Sequence, residues 1–178
     1  MKKNDSIKSI VVLVSICIVV AVLMAAVNMI TAPRIEAENA KKESEALSQV
    51  LTENGGFEQI ESGAFSDTIS SAWRDMDGEG YAFMLSVKGY DSSKPMVIAV
   101  GISNDGRITK CVTVSASGET KGIGSKVSEA EFTDRFSGKD SSLSGVDAIS
   151  GATISTKAYI DAVKEALAAF ETLGEVAK

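Results

Sequence analysis

The sequence predicts an α+β protein in which one N-terminal membrane helix precedes a domain with an antiparallel sheet and packed helices. Three observations lead to this fold class. An uncharged apolar run extends over residues 9–33, alternating strand patterns meet at the turn Asn104–Gly106, and apolar residues recur at helical spacing over Lys157–Leu173. About 140 residues follow the apolar run, which is enough to form a hydrophobic core.

Composition excludes several classes of function. The chain has 178 residues and a formal net charge of −6, from 18 Lys plus Arg against 24 Asp plus Glu. This charge argues against nucleic acid as a partner, because neutralising phosphates takes clustered basic residues. With no His and only two Cys, the chain has no His-activated nucleophile and no ligand set for His-ligated haem, an iron–sulfur cluster, or zinc held by imidazole or by four thiolates. We therefore expect no metal site, and any redox carrier must be organic.

The apolar run has the length of a transmembrane helix. Its most apolar part, Ile10–Ile30, spans about 30 Å at about 1.5 Å per residue, which is the thickness of the hydrocarbon core. A cleaved signal peptide is the alternative, although its apolar region is usually shorter. Lys2, Lys3 and Lys8 precede the span with only Asp5 to offset them. The positive-inside rule therefore places residues 1–8 in the cytoplasm as a tail and everything after the span outside the cell (inner) membrane.

Residues 34–53 are predicted to form a helical stalk. The segment is rich in Ala, Glu and Lys, which favour helix, and Pro33 stands where a helix can restart. Its few large apolar residues lie mainly at its end, so we expect a solvated stalk whose end docks on the domain. The run Asn54-Gly55-Gly56 ends the stalk, and the domain occupies residues 54–178.

The central part of the chain is predicted to form an antiparallel meander. Gly80–Lys88 alternates, with Tyr81, Phe83, Leu85 and Val87 on one face, and Pro95–Ile102 is a second apolar strand. After the turn, the alternation places Ile108, Lys110, Val112 and Val114 on one face and Thr109, Cys111, Thr113 and Ser115 on the other. Cys111 is interpreted as a small packed hydrophobe rather than a reactive thiol. Residues 57–78 show no clear pattern.

Two glycine-containing loops follow the strands. In the first, Gly118–Ser125 (GETKGIGS), the glycines allow close approach of another group or a positive φ, and a plain tight connection is the alternative. The second, Asp147–Thr156 (DAISGATIST), precedes the helix pattern, for which Gly174 is a natural stop. A loop at a helix N-terminus presents unpaired N–H groups and suits a phosphate. N-capping by Ser155 or Thr156 is the alternative.

The second loop resembles a motif of a known family. Asp147–Thr153 (DAISGAT) is similar to the flavinylation motif Asp-x-x-Ser/Thr-Gly-Ala-Thr/Ser of the FMN-binding domains in Rnf and sodium-pumping quinone reductase complexes. Glu119–Gly124 resembles the family's Glu-Thr-Pro-Gly-Leu-Gly loop, and Gly80–Phe83 resembles its Gly-Tyr-Ala-Phe strand. The resemblance covers nearly the whole chain, weakly over residues 57–78. In length the chain is closest to the G subunits of Rnf complexes.

The resemblance implies covalent FMN, which a flavin transferase esterifies to the hydroxyl of Thr153 with FAD as donor and magnesium. Asp147 would serve recognition by the transferase. The flavin ring would lie between the two loops, with backbone N–H groups of residues 122–124 and 150–152 available to it. Lys121 stands where the family usually has proline, and it either adds a positive charge near the flavin or points into water. The expected cofactor-binding residues are Thr153, Ser150, Gly151, Ala152, Glu119, Thr120, Gly122, Ile123 and Gly124.

The same resemblance implies an electron-transfer subunit of a membrane complex that couples ferredoxin:NAD oxidoreduction to movement of sodium ions or protons. Its partners would be other membrane subunits of the Rnf-type complex and, during maturation, the flavin transferase. No independent substrate site is expected, because other chains would deliver and remove the electrons. Two alternatives stay open: a stand-alone membrane-anchored extracytoplasmic flavoprotein, and a non-redox ligand-binding or structural subunit.

Overall fold

The computed structural model describes residues 2–51, 56–60, 65–78 and 80–176. They form two compact units, Met1–Lys41 and Lys42–Lys178. Helix α1 is Lys2–Val50 and the strands are β1 (Phe57–Gln59), β2 (Ile69–Asp75), β3 (Gly80–Val87), β4 (Met96–Ser103) and β5 (Ile108–Ser115). Helix α2 (Ala130–Thr133) lies between two short 3-10 helices, Gly124–Ser128 and Asp134–Phe136, and α3 is Thr153–Val176. One long apolar helix, a sheet and packed helices confirm the predicted α+β class.

The first unit is part of helix α1. In the described part of the chain, one helix is long and apolar enough to cross a membrane; it lies within Lys8–Val50, and its most apolar 18-residue window has a mean hydropathy of 3.3 and no buried residue. Pro33 lies inside α1, so the helix does not restart there. Proline removes one backbone donor from a helix interior, and α1 continues despite this loss.

The end of α1 belongs to the second unit. Its apolar residues are buried in one cluster with side chains from β3 and β4; the cluster consists of Ala46, Leu47, Val50, Leu51, Ala82, Met84 and Ala99. Ile35, earlier in the predicted stalk, is 57% exposed. Asn54 and Gly55, where we predicted the stalk to end, lie outside the described residues.

The five strands form one antiparallel sheet in the order β1-β2-β3-β4-β5, which is the predicted meander. The predicted turn at Asn104–Gly106 joins β4 to β5, and Gly106 has a φ of 79°. Phe83, Leu85 and Val87 of β3 face a large core that also contains Tyr159 of α3. Because the end of α1 covers the opposite face, the sheet is buried on both sides.

A β-bulge in β5 overturns part of the predicted alternation. Ile102 pairs with Ile108 and Gly101 pairs with Lys110, so Thr109 is an extra residue in β5. Ile108 therefore faces the same core as Cys111, whereas the predicted alternation placed it on the face of Val112. The prediction was wrong for Ile108 because one inserted residue shifts every later side chain to the other face.

Two further elements differ from the sequence-based prediction. Residues 57–78, where no pattern was clear, contain β1 and β2, and residues 61–64 within them lie outside the described part. Helix α3 begins at Thr153, four residues before the predicted start, and continues past Gly174 to Val176. The prediction that α3 stops at Gly174 was wrong. A glycine inside a helix lowers the stability of the helix by only about 1 kcal/mol relative to alanine.

Candidate functional site

A cavity of about 460 Å³ lies between the two glycine loops at the N-terminus of α3. Ligand sites in proteins commonly have volumes of about 300–1,000 Å³. Six of the residues that we singled out in the sequence line this cavity. They are Thr120, Ile123 and Gly124 from the first loop and Gly151, Ala152 and Thr153 from the second.

Three further residues also line the cavity, although sequence reasoning had not assigned them to it: Tyr90, Ile154 and Ser155. Tyr90 lies between β3 and β4 and is 67% exposed; no motif marked it. Ile154 and Ser155 follow Thr153 directly in the first turn of α3. A prediction that α3 begins at Thr153 would have indicated Ile154 and Ser155, because the first turn of a helix faces whatever its N-terminus binds.

Thr153 is the first residue of α3 and is exposed. The turn before it depends on Gly151. Its φ of 82° lies in the left-handed region, which residues other than glycine rarely adopt. The N–H of Ala152 closes this turn by donating to the carbonyl of Ile149 at 3.0 Å. The sequence Ser-Gly-Ala-Thr thus places the Thr153 side chain at the mouth of the cavity, beside a helix N-terminus.

The N-capping alternative is wrong, because Ser155 and Thr156 both lie inside α3. The hydroxyl of Thr156 donates to the carbonyl of Ala152 at 2.9 Å, and its own N–H donates to the same carbonyl at 3.0 Å. The hydroxyl of Ser155 donates to the Glu119 carboxylate. In the hydrogen bonds of the described residues both hydroxyls act as donors, and neither accepts from the first N–H groups of the helix, which have no intrahelical acceptor.

Three of the backbone donors expected to face a ligand are engaged within their own loops. The N–H of Gly122 donates to Ser125 Oγ at 2.9 Å, and the N–H of Ile123 donates to the carbonyl of Thr120 at 3.1 Å. Ala152 donates to Ile149, as described above. The expectation that these groups would be available was wrong for Gly122, Ile123 and Ala152, since local turn bonds satisfy them.

Four other residues singled out in the sequence do not line the cavity: Glu119, Gly122, Ser150 and Asp147. Glu119 is buried, with 8% of its surface exposed, whereas Gly122, Ser150 and Asp147 are exposed at or near the loops. Lys121 is exposed at the tip of the first loop and does not line the cavity either. The glycine loop and the Ser-Gly-Ala-Thr turn thus contribute only some of their residues to its surface.

Large apolar side chains surround the cavity. Tyr90 is 67% exposed, Ile154 60% and Ile123 48%. Among the described residues of Lys42–Lys178, the only other exposed large hydrophobic residue is Met76. Water-exposed apolar side chains that cluster at a cavity are typical of a ligand or interaction site.

The described residues contain no group of three or more His, Cys, Asp or Glu side chains that could hold a metal ion. Cys111 is buried, as the sequence predicted, and burial raises the pKa of its thiol. Cys111 does not line the cavity. The cavity therefore offers hydroxyls, backbone N–H groups and apolar walls, which suit an organic anion.

Sequence comparison with known proteins shows the family of this chain. A sequence model of the FMN-binding domain matches residues 89–168, which include every residue that lines the cavity, and a model of the RnfG N-terminal region matches residues 1–50. The G subunit of the ion-translocating oxidoreductase complex of Methanosarcina acetivorans is 30% identical over 183 residues, covering 90% of this chain and 92% of that protein. The chain belongs to the family of G subunits of ion-translocating oxidoreductase complexes.

Two further members of the G-subunit family are similar over most of their length. The G subunit of the proton-translocating ferredoxin:NAD(+) oxidoreductase complex of Clostridium ljungdahlii is 25% identical, covering 85% of this chain and 84% of its own. The G subunit of the Na(+)-translocating ferredoxin:NAD(+) oxidoreductase complex of Acetobacterium woodii is 26% identical, covering 92% and 91%. The resemblance inferred from the flavinylation motif and the glycine loop is thereby confirmed at the level of the family.

Proposed function

We propose that this member of the G-subunit family is an electron-transfer protein that carries FMN covalently on Thr153. It works in a membrane complex that couples ferredoxin:NAD oxidoreduction to movement of sodium ions or protons. The match to the FMN-binding domain and the names of its relatives support the redox role. The position of Thr153, exposed at the mouth of a cavity bounded by both glycine loops, supports the attachment site.

The cavity fits the two chemically different ends of FMN. Its phosphate is suited to the first turn of α3, where helix N–H groups and the positive end of the helix dipole favour an anion. Its ring is apolar along one edge and suits the exposed side chains of Tyr90, Ile123 and Ile154. Bound FMN supplies reversible transfer of one or two electrons, which no side chain of this composition provides.

Attachment at Thr153 is a phosphoryl transfer with FAD as donor. A bond forms between Thr153 Oγ and the FMN phosphorus, the phosphoanhydride bond of FAD breaks, AMP leaves, and the hydroxyl proton passes to solvent or to the transferase. The small residues Gly151 and Ala152 before the threonine leave room for the transferase. Asp147 is exposed six residues upstream, where a carboxylate can bind the transferase or its magnesium.

The proposed topology follows from charge and hydropathy. The apolar part of α1 spans the cell (inner) membrane once, the basic residues before it keep the N-terminus cytoplasmic, and the domain lies outside. A covalent tether suits that location, because a cofactor that cannot dissociate is not lost where free FMN is scarce. The other membrane subunits of the complex deliver and remove electrons, so this chain needs no substrate site of its own.

The attachment site is tested by co-expressing the full chain with a flavin transferase and analysing its peptides by mass spectrometry. We expect the wild-type peptide containing Thr153 to gain the mass of FMN less water. Thr153→Val removes the hydroxyl and abolishes the gain, whereas Thr153→Ser retains some of it. Thr156→Val is the matched control, because this second threonine of α3 is buried and bonded to Ala152; we expect full modification.

Each result that contradicts the proposed function identifies the part of it that is wrong. Flavin on Ser150 or Thr156 would refute Thr153 as the attachment residue but would leave FMN as the cofactor. Matured protein of unmodified mass and without colour would refute the redox role and favour a binding or structural subunit. Flavin-loaded protein that never copurifies with other subunits would favour a stand-alone flavoprotein. Protease added to spheroplasts tests the topology: protection of the residues after 33, with cleavage only after lysis, would contradict an external domain.

A further inference from the structure

Glu119 holds together three segments that surround the cavity. Its carboxylate is buried, with 8% of the residue exposed. One oxygen, Oε1, accepts a hydrogen bond from the backbone N–H of Tyr90 at 3.0 Å, and the other, Oε2, accepts from the hydroxyl of Ser155. Tyr90 lies between β3 and β4, Glu119 is the second residue of the first glycine loop, and Ser155 lies in the first turn of α3. These three segments are far apart in sequence and meet at one carboxylate.

The Glu119 carboxylate occupies the space where a side chain would lie at two glycines. A Cβ atom added to Gly89 would overlap Glu119 Oε1. A Cβ atom added to Gly124 would lie 2.6 Å from Glu119 Oε2 and 2.8 Å from Ser155 Oγ. Neither glycine has a positive φ, so the need for glycine at both positions comes from the space that the carboxylate occupies.

The hydrogen bonds explain how a carboxylate is tolerated in a buried position. Burying a charged group is costly unless hydrogen bonds replace its hydration. An ionised carboxylate only accepts hydrogen bonds, so both donors must point toward it. The N-terminal turn of α3 adds a favourable partial positive charge beside Ser155. The carboxylate thereby determines the direction of the Tyr90 N–H and of the Ser155 hydroxyl.

We propose that Glu119 is a positioning residue that assembles the flavin cavity before the cofactor is attached. Glu119 does not line the cavity, whereas Tyr90 and Ser155 do. It acts through them, holding the chain at Tyr90 and the first turn of α3 at a fixed separation. This differs from the direct contact with the flavin that the family resemblance implied for Glu119. The effect on the flavin rests on the proposed function, but the assembly of the cavity does not.

Four variants of the full chain separate this role from general stability. Glu119→Ala removes both hydrogen bonds. Glu119→Gln keeps both, because the amide carbonyl accepts from Tyr90 and the amide nitrogen donates to Ser155 Oγ. Ser155→Ala removes one bond and leaves the Tyr90 bond in place. Glu171→Ala is the matched control, an exposed glutamate near the other end of α3.

Amide hydrogen exchange of the purified, flavin-free chain measures the bond to Tyr90 directly. Loss of a hydrogen bond to a charged group should accelerate exchange of the Tyr90 amide about tenfold or more in Glu119→Ala. We expect Glu119→Gln to restore slow exchange, Ser155→Ala to show a smaller increase, and Glu171→Ala to match wild type. Unchanged exchange in Glu119→Ala, or exchange equally fast in Glu119→Gln, would overturn the proposal.

Two further measurements keep the proposal falsifiable. Amides in the centre of β3 and β4 should exchange as in wild type, and a uniform increase over the sheet would show a structural role only. If Glu119→Ala does not fold, a Ser155→Ala protein with unchanged exchange in the first turn of α3 and at Tyr90 refutes the positioning role of Glu119. In flavin-loaded protein, we expect visible circular dichroism and the midpoint potential to change in Glu119→Ala and to return in Glu119→Gln. Wild type that takes up no flavin would refute the proposed function and leave the exchange result valid.

Discussion

The hydroxyl of Thr109 donates a hydrogen bond to the backbone carbonyl of Val50, the last residue of α1. Thr109 is the extra residue of the β5 bulge, and its hydroxyl satisfies a carbonyl that a helix end leaves without an intrahelical donor. Gly101 of β4 makes room for this contact, because a Cβ atom there would overlap both the Val50 carbonyl oxygen and the Thr109 hydroxyl. The end of α1 thus docks on the sheet at one point, which consists of Val50, Thr109 and Gly101.

Gly101→Ala should displace the end of α1 from the sheet. We expect the free energy of unfolding to fall by about 1–3 kcal/mol, the usual cost of overpacking a filled site. Urea unfolding of the detergent-solubilised chain measures this through Trp73, the only tryptophan, which packs on the same apolar cluster. Thr109→Ser keeps the hydroxyl and serves as the control. Equal urea midpoints for Gly101→Ala and wild type would contradict the docking point.

Alkaline pH should destabilise the domain through Tyr159. Burial raises the pKa of its phenol well above the ordinary value of 10.0. The neutral phenol is therefore favoured by the fold, so its contribution is fully present below the ordinary pKa and is lost as the pH rises above it. We expect Tyr159→Phe to flatten the fall in urea midpoint between about pH 9 and about pH 11. Tyr90→Phe changes an exposed tyrosine and should keep the wild-type slope; equal slopes for all three proteins would refute this cause.

Ile154→Ser should expose the flavin without destabilising the fold. Ile154 is 60% exposed and lines the cavity, so the free energy of unfolding should change by no more than about 0.5 kcal/mol. In flavin-loaded protein we expect stronger quenching of flavin fluorescence by iodide, because an apolar wall of the site is lost. Met76→Ser is the control, since Met76 is similarly exposed and does not line the cavity. Equal quenching in both variants would show that Ile154 does not cover the ring.

Lys121→Gln should have only a small effect on the flavin potential. Lys121 is exposed, and one charge at about 10 Å in water contributes about 0.4 kcal/mol, or about 20 mV for one electron. A positive charge favours the reduced anion, so its loss lowers the potential, and salt reduces the difference. Spectroelectrochemical titration at low and high salt measures it, with Lys164→Gln on α3 as control. A large shift that persists in high salt would place Lys121 against the flavin.

Local patterns predicted those parts of the fold that local forces determine. The alternation of Phe83, Leu85 and Val87 predicted which face of β3 meets the core, and the helical spacing after Lys157 predicted the body of α3. The bulge at Thr109 was not predictable from alternation, because it depends on pairing with Gly101 and Ile102 in another strand. For the same reason Ile108 was assigned to the wrong face.

The candidate site shows the same division. The motif residues of the two glycine loops marked most of the cavity from the sequence, including Gly124, Gly151 and Thr153. Tyr90 carried no signal, since it reaches the cavity only through the packing of the β3–β4 connection against Glu119. Capping by the hydroxyl of Ser155 stayed open as an alternative in the sequence, because its true acceptor is 36 residues away in sequence.

The amino-acid sequence alone determined the class of protein, the apolar helix, the meander and the threonine to test. The helix and the meander depend on composition and on spacing between residues close along the chain. The class of protein and the threonine depend on the resemblance of Asp147–Thr153 to a family motif. Only the tertiary structure decided that Glu119 lies behind the cavity rather than in it, that Tyr90 forms one of its walls, and that Gly101 receives the end of α1. Contacts of this kind join segments distant in sequence, and their geometry follows from packing, which no local pattern encodes.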